Sequence, residues 1–307
     1  MLNGRVAFAL AFSFAAFILQ PGWAASAIDP SGTWAGTIFI KPGESEIDIR
    51  VELTRTKDGR WSGVMSVPGQ SVSRKPLEDV TFVPPKTVSW IYRDNAGVSI
   101  LTGTVSPDGR KLVGEHQEQG EKYSFTLRRV EPGSEPPRPG LVNLSGTEEL
   151  RALFNRDAGK TRLVLILSPS CGLCFEGARM VERYVLDAKA GDDLTAFVIW
   201  TPISKNDHRE RAVEATSHLA DPRARHFWDR SLAVQRSFSA PLGLKDSPAW
   251  DVYLVYGPGK RWDKAPPVPD VYMHRRGDDM PRDRILNGPR LIEEVEKIRA
   301  TKSRRSL

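Results

Sequence analysis

The sequence predicts two domains of different class: an all-β antiparallel small barrel over residues 28–130, and an α/β domain over residues 141–300. Three observations predict this. From Ile28 to Val130, short runs alternate polar and apolar residues between hairpin signals. From Leu141 onward, fully apolar runs of strand length alternate with helix-periodic stretches. Between them EPGSEPPRPG, residues 131–140, sets four prolines and two glycines in ten residues, which sustains neither a helix nor a central strand. That stretch is a semi-rigid linker.

Residues 1–27 precede the fold. MLNGR is a positive start, Val6–Leu19 is apolar throughout, and QPGWAASA ends in small residues, which together describe a secretory signal peptide. Ala25-Ser26-Ala27 satisfies the small-x-small cleavage rule, and a cut after Ala24 is the alternative. The apolar run is shorter than the ~20 residues that span a bilayer, which argues against an uncleaved anchor. No cysteine follows the run, so no lipid-anchored start is expected. The protein is thus expected to be exported, periplasmic or extracellular, with no integral membrane segment after signal removal. About 280 of 307 residues remain, more than one average domain. The full chain is 40% hydrophobic and 27% charged, a composition that builds ordinary cores. The formal net charge is +6, partly from the basic tail over residues 301–307. No basic face interleaved with aromatics accompanies that charge, so no nucleic-acid partner is expected. The charge serves solubility and loose attraction to anionic surfaces.

In the front domain, GTWAGTIFI, EIDIRVEL, RWSGVMSV, TVSWIYR, SILTGTV, KLVGEHQ and YSFTLRRV are candidate strands. KPGE, KDGR, PGQ, DNAG and PDGR separate them. Closure into a barrel would remove unpaired edges. Gly32-Thr33-Trp34 with Gly36 resembles lipocalin-like domains, as do the repeated Trp61-Ser62-Gly63, Leu101-Thr102-Gly103 and Leu112-Val113-Gly114. The resemblance implies that the early Trp closes one barrel end. Trp34, Trp61 and Trp90 are expected in the core or at barrel ends rather than on a ligand.

The rear domain opens on Ser145-Gly146-Thr147-Glu148, a capping-box pattern. A helix EELRALFNRDAG should follow and end at Gly159. RLVLILS has the run of a strand buried on both faces. After CGLC, Phe175, Ala178, Met180, Val181, Val185 and Leu186 recur at helical spacing. LTAFVIW and WDVYLVY are further buried strands and VYMH a fourth; NDHRERAVEATSHLA and RLIEEVEKIRA are helices. The alternation predicts a sheet covered on both faces.

SPSCGLCF holds the chain's two cysteines, Cys171 and Cys174. Haem attachment requires a His after the second Cys, where Phe175 stands. A structural zinc site takes four ligands; no other Cys exists, and His116, His208, His218, His226 and His274 show no ligand spacing. A permanent disulfide would close a loop too short to stabilise much. A working redox couple remains. The pair falls where a buried strand meets a helix start, so free amides and the positive dipole end favour the Cys171 thiolate. The thiolate attacks in disulfide exchange, and Cys174, one turn inward, resolves the mixed disulfide. Export suits such chemistry.

With LVLILSPSCGLC as strand and active-site turn and DSPAWDVYLVY much later, this domain resembles the thioredoxin-like superfamily, in particular exported thiol–disulfide oxidoreductases. The resemblance implies catalytic roles for Cys171 and Cys174. It also implies that Ser247-Pro248 is the cis-proline element, with Ser247 pairing its backbone to a bound peptide. Three departures stand out. Ser170 replaces the family's Trp, Gly172-Leu173 its Gly-Pro, and Leu165 the buried Asp six residues before the first Cys. No obvious base is then placed to deprotonate Cys174, and Glu176 reads as a solvated helix-face charge. The direction of electron flow stays open.

RHFWD places His226 beside Trp228 and Asp229, and reads as a packed helical segment that alternatively lies near the thiols. GPGK lacks the spacing of a phosphate loop, PPVPD is a stiff loop, and no Gly-x-Ser-x-Gly elbow is present. The expectation is an exported oxidoreductase exchanging disulfides with protein substrates and an unidentified redox partner, without cofactor or resident metal. Two alternatives remain: a non-enzymatic ligand- or partner-binding protein whose redox domain is inactive, and a thiol-based metal carrier.

Overall fold

A computed structural model describes residues 28–305 other than 71, 96, 134–137, 189–190, 245–246 and 278. The expected signal peptide lies outside the described residues, as do residues 134–137 of the linker and the side chains of the basic tail. No helix among the described residues is long and apolar enough to cross a membrane.

Nine antiparallel strands form a nearly closed barrel. They are β1 (Gly32–Lys41), β2 (Ser45–Arg55), β3 (Trp61–Val67), β4 (Val72–Pro76), β5 (Glu78–Val83), β6 (Thr87–Arg93), β7 (Val98–Val105), β8 (Lys111–Glu118) and β9 (Glu121–Val130). The order is β4-β3-β2-β1-β9-β8-β7-β6-β5. The amide of Leu77 donates to Gly63 O at 2.9 Å, drawing the two ends together. Sequence periodicity predicted seven of these strands. It missed β4 and β5, where Pro76, Leu77 and the positive-φ residues Arg74 and Asp79 break the alternation. The predicted alternation is plain in β6, where Val88, Trp90 and Tyr92 face inward. Gly36 and Gly114 are glycines for a steric reason: an added Cβ would meet Thr126 O at 2.1 Å and Thr102 O at 2.0 Å.

Trp34 and Trp90 are core residues, as expected. Trp34 donates from Nε1 to Pro30 O and lies under the Arg129 guanidinium, 4.3 Å from its ring centre. Trp61 is half-buried and packs edge-on against Phe82. Trp34, Trp90, Leu101, Phe125 and their neighbours fill the interior with side chains.

The second sheet is mixed. It contains β10 (Leu141–Asn143), β11 (Thr161–Leu167), β12 (Leu194–Trp200), β13 (Ala224–Trp228), β14 (Val252–Tyr256) and β15 (Val271–His274), in the order β10-β13-β12-β11-β14-β15. β10, β13, β12 and β11 are parallel, β14 runs antiparallel to β11, and β15 runs antiparallel to β14. The helices are α1 (Glu148–Arg156), α2 (Gly172–Val181), α3 (Arg209–Ala215), α4 (Ala233–Ser239) and α5 (Gly288–Arg305). One face is covered by α2, α3 and α5 through Ala178, Val181, Ala212, Leu291 and Val295. The other is covered by α1 and α4 through Leu150, Phe154, Val234 and Phe238. That two-sided covering is why β11, β12 and β14 read as unbroken apolar runs.

Three local expectations are corrected. The capping box does not form: Thr147 is the N-cap of α1 and makes no side-chain cap bond. RHFWD is not helical; all but its Asp229 lie in β13, which the crossover through α3 returns parallel beside β12, with Val198 opposite His226. The cis peptide bond among the described residues is Pro84–Pro85; Ser247–Pro248 is not cis.

The barrel docks on the α/β region through buried charge. Glu46, at 2% exposure, accepts from Arg183, from Tyr184 Oη at 2.6 Å and from Gly43 N at 2.8 Å. Asp48 accepts from Thr37 at 2.7 Å and pairs with Arg183 and Arg179, each at 3.1 Å. Gly288 donates its amide to Gly43 O at 2.8 Å, tying the β1–β2 turn to the start of α5.

Candidate functional site around two thiols

β11 ends at Leu167, and the chain turns through Ser168-Pro169-Ser170 into α2. Cys171 is the N-cap, in extended conformation, and its Sγ accepts from Cys174 N at 3.3 Å. The sulfur thus takes the place of the usual Ser or Asp oxygen that satisfies a free amide at a helix start. Cys171 is half-buried, while Cys174 is wholly buried with its Sγ 3.5 Å from Ser168 N. The sequence-predicted thiols are thus brought together, one partly open to solvent and one sealed behind it. Both are free.

The two sulfurs differ in acidity. The Cys171 thiol is lowered, first by a hydrogen bond from the Cys174 thiol and less by the Cys174 and Leu173 amides; burial and Asp251 oppose this. Burial pushes the Cys174 thiol well above its ordinary value. The helix start therefore contributes as expected, but less than the second thiol.

A third group completes the site, and sequence reasoning missed it. A carboxylate oxygen of Asp251 and both sulfurs lie within 4.8 Å of one another. Asp251 is 1% exposed, and burial raises its carboxyl above the usual range, opposed by a hydrogen bond from Tyr253 and by Arg275. Tyr253 Oη donates to Asp251 Oδ1 at 2.8 Å. The register explains the placement. Leu165, where the thioredoxin pattern has its Asp, lies opposite Tyr253 on β14, and Asp251 is two residues earlier on the same face. The carboxylate beside the thiols comes from the residue just before the neighbouring antiparallel strand. The signal was a lone charge directly before a five-residue buried strand, in AWDVYLVY. Asp251 also has φ +50, and Arg275 N donates to its carbonyl at 3.1 Å. Asp is among the few non-glycine residues that tolerate this region, and such positions cluster at functional sites.

Gly177 makes room for Tyr253: a Cβ there would lie 1.8 Å from the Tyr253 hydroxyl. Glu176 is not the solvated charge expected. It pairs with Arg275 at 2.7 Å, and the two side chains are 13% and 8% exposed, because the barrel covers this face of α2. The covering element is the turn Pro68–Gln70 between β3 and β4. Its Gly69 carbonyl presses on the first residue of α2, so that a Cβ on Gly172 would fall 1.8 Å away.

Ser247 and Pro248 line a cleft of about 530 Å³ with Pro202, Ile203, Gln235 and Arg236. Arg276 holds the segment, donating to Pro248 O and Ser247 Oγ at 2.6 Å each. His226 is remote in role. Its Nδ1 accepts from Trp200 Nε1 at 3.1 Å, and its Nε2 faces Leu219 O at 2.9 Å, which fixes a neutral packing histidine. Burial lowers its pKa to about 4. His218, which no pattern marked, stacks on Phe175 at 4.1 Å and accepts from Arg179, lowering its pKa to about 3 mainly by burial.

No protein-family profile matches the chain, and no curated protein matches it. Among solved structures, it is similar to one described as the solution structure of a thioredoxin-like protein in the oxidized form. The identity is 17% over 52% of this chain and 95% of the other, with a TM-score of 0.31.

Proposed function

We propose that the protein is an exported thiol–disulfide oxidoreductase of thioredoxin-like type that exchanges disulfides with protein substrates through Cys171 and Cys174. One observation carries the reading: a half-exposed N-cap thiol of lowered pKa stands before a sealed thiol of raised pKa, with a buried carboxylate beside both. A low-pKa, accessible thiol next to a resolving thiol is what exchange requires.

In the reducing direction, the Cys171 thiolate attacks one sulfur of a substrate disulfide, forms a mixed disulfide and expels the other sulfur as a thiolate, which takes a proton from solvent. Cys174 then gives its proton to the Asp251 carboxylate and attacks Cys171 Sγ. The second substrate thiol leaves and the protein disulfide remains. The buried Cys174 ionises poorly unaided, so a base within hydrogen-bond reach matters for this step. The oxidising direction is the reverse. Ser247 and Pro248 would hold the substrate chain from their cleft, and the barrel would act as a fixed wall on one side of Cys171.

The test is turnover of insulin disulfides, or oxidation of a reduced peptide, by the full chain. Activity that Cys171→Ser abolishes supports the reading. Rates no greater than those of a free dithiol refute it and favour a binding protein.

A further inference from the structure

The Cys171 and Cys174 sulfurs and an Asp251 carboxylate oxygen, mutually within 4.8 Å, form a cluster of metal-ligating atoms at the amino end of α2. We propose that, with both thiols reduced, this cluster is a zinc(II) site of two thiolates and one carboxylate, its fourth position open to solvent beside Cys171.

The donor set suits the ion. Zinc takes thiolate sulfur at about 2.3 Å and carboxylate oxygen at about 2.0–2.2 Å in tetrahedral geometry, and sites with three protein ligands keep an open position. Such bond lengths set ligand atoms roughly 3.5–3.8 Å apart, so the cluster needs to contract by about an ångström at most. Rotation of the half-exposed Cys171 side chain can supply that. The oxygen ligand argues for zinc over a monovalent soft ion, for which two sulfurs suffice.

The surroundings are those of a supported site. Tyr253 Oη binds Asp251 Oδ1 at 2.8 Å, orienting the carboxylate and leaving Oδ2 for the ion. The amide of Cys174 already points at Cys171 Sγ, and that of Ser168 at Cys174 Sγ. Arg275, 8% exposed, is bonded through its amide to the Asp251 carbonyl, and its guanidinium pairs with Glu176. Entry is from the Cys171 side, since Cys174 and Asp251 are sealed.

Binding moves no electrons. Zinc replaces the two thiol protons, which pass to solvent, and oxidation to the disulfide removes both thiolate ligands. The site therefore exists in one redox state only, and a bound ion withholds both sulfurs from exchange. The inference goes beyond the exchange reading and does not depend on it.

The test uses the full chain, reduced under anaerobic conditions, titrated with zinc(II) against a chromophoric chelator and with cobalt(II) as a spectroscopic probe. One equivalent should bind, with thiolate-to-cobalt charge-transfer bands and visible bands of tetrahedral intensity. The diamide-oxidised chain should bind none. Asp251→Asn, which the backbone conformation tolerates, should weaken zinc at least about tenfold, and Tyr253→Phe about tenfold through the lost orientation. The proposal is overturned if the reduced chain, with two titratable thiols, binds no stoichiometric metal, or if folded Asp251→Asn binds as tightly as the parent. Insulin turnover by metal-free protein is read separately. Zinc binding without turnover sinks the exchange reading alone, and turnover without zinc binding sinks the site alone.

Discussion

Gly172→Ala tests whether the barrel truly walls the thiol site. The new Cβ would lie 1.8 Å from Gly69 O and 3.0 Å from Gly69 C, both backbone atoms of the Pro68–Gln70 turn. Ordinary contact begins near 3.4 Å, so the turn and the start of α2 must part by more than an ångström. Neither side yields easily, since the buried pairs of Glu46 and Asp48 with Arg183 and Arg179 hold the barrel against the same helix. Overpacking of this kind costs about 1–3 kcal/mol. The gain from replacing a helical glycine, at most ~1 kcal/mol, offsets part of it and is reduced at a first-turn position. The net expectation is a loss of about 1–2 kcal/mol in denaturant unfolding. Lifting the turn also uncovers Cys171, so iodoacetamide should alkylate it several-fold faster. Gly146→Ala is the control, since nothing lies within 4 Å of its Cβ. Unchanged stability and unchanged alkylation would refute the contact. Lower stability with unchanged alkylation would leave the turn as packing and remove it as a wall.

Asp251→Asn should slow disulfide turnover by ~10²-fold or more, the scale of a lost general base. It should also speed alkylation of Cys171, because the Asp251 charge raises that thiol; slower alkylation would contradict the geometry. At the docking surface, Glu46→Gln takes from Arg183 one of its two carboxylate partners, leaving Asp48, and should cost about 1–3 kcal/mol, and adding Arg183→Met should cost less than the sum of the two single changes. Strictly additive losses in urea unfolding would argue that the pair is not coupled. Acid should weaken the fold through His226, whose pKa drops from 6.5 to about 4 on burial. The unfolded chain takes the proton first, so the contribution is whole above about pH 6.5 and is lost as pH falls towards 4. Its size is on the order of 3 kcal/mol, and His226→Asn should flatten the stability profile in that window.

Much of this protein was legible in sequence order. Strict alternation with Gly-bearing turns marked most barrel strands, because each strand has one wet and one dry face. The unbroken runs around Leu165 and Val198 marked strands covered on both sides. The Cys171–Cys174 spacing, after such a run and before helical periodicity, fixed a thiol at a helix cap. The sequence also misled where local pattern was outvoted by neighbours. His226 looked helical until β12 offered an edge, and Glu176 looked solvated because the barrel that buries it lies a hundred residues away. Asp251 shows the limit most clearly. Its carboxylate reaches the sulfurs only because β14 runs antiparallel beside β11 with Tyr253 opposite Leu165. Chain order carries the identity of each group and the periodicity of its segment, since these are local. Which strand completes a site, and which turn covers it, depends on pairing between distant segments, and only the tertiary structure decides that.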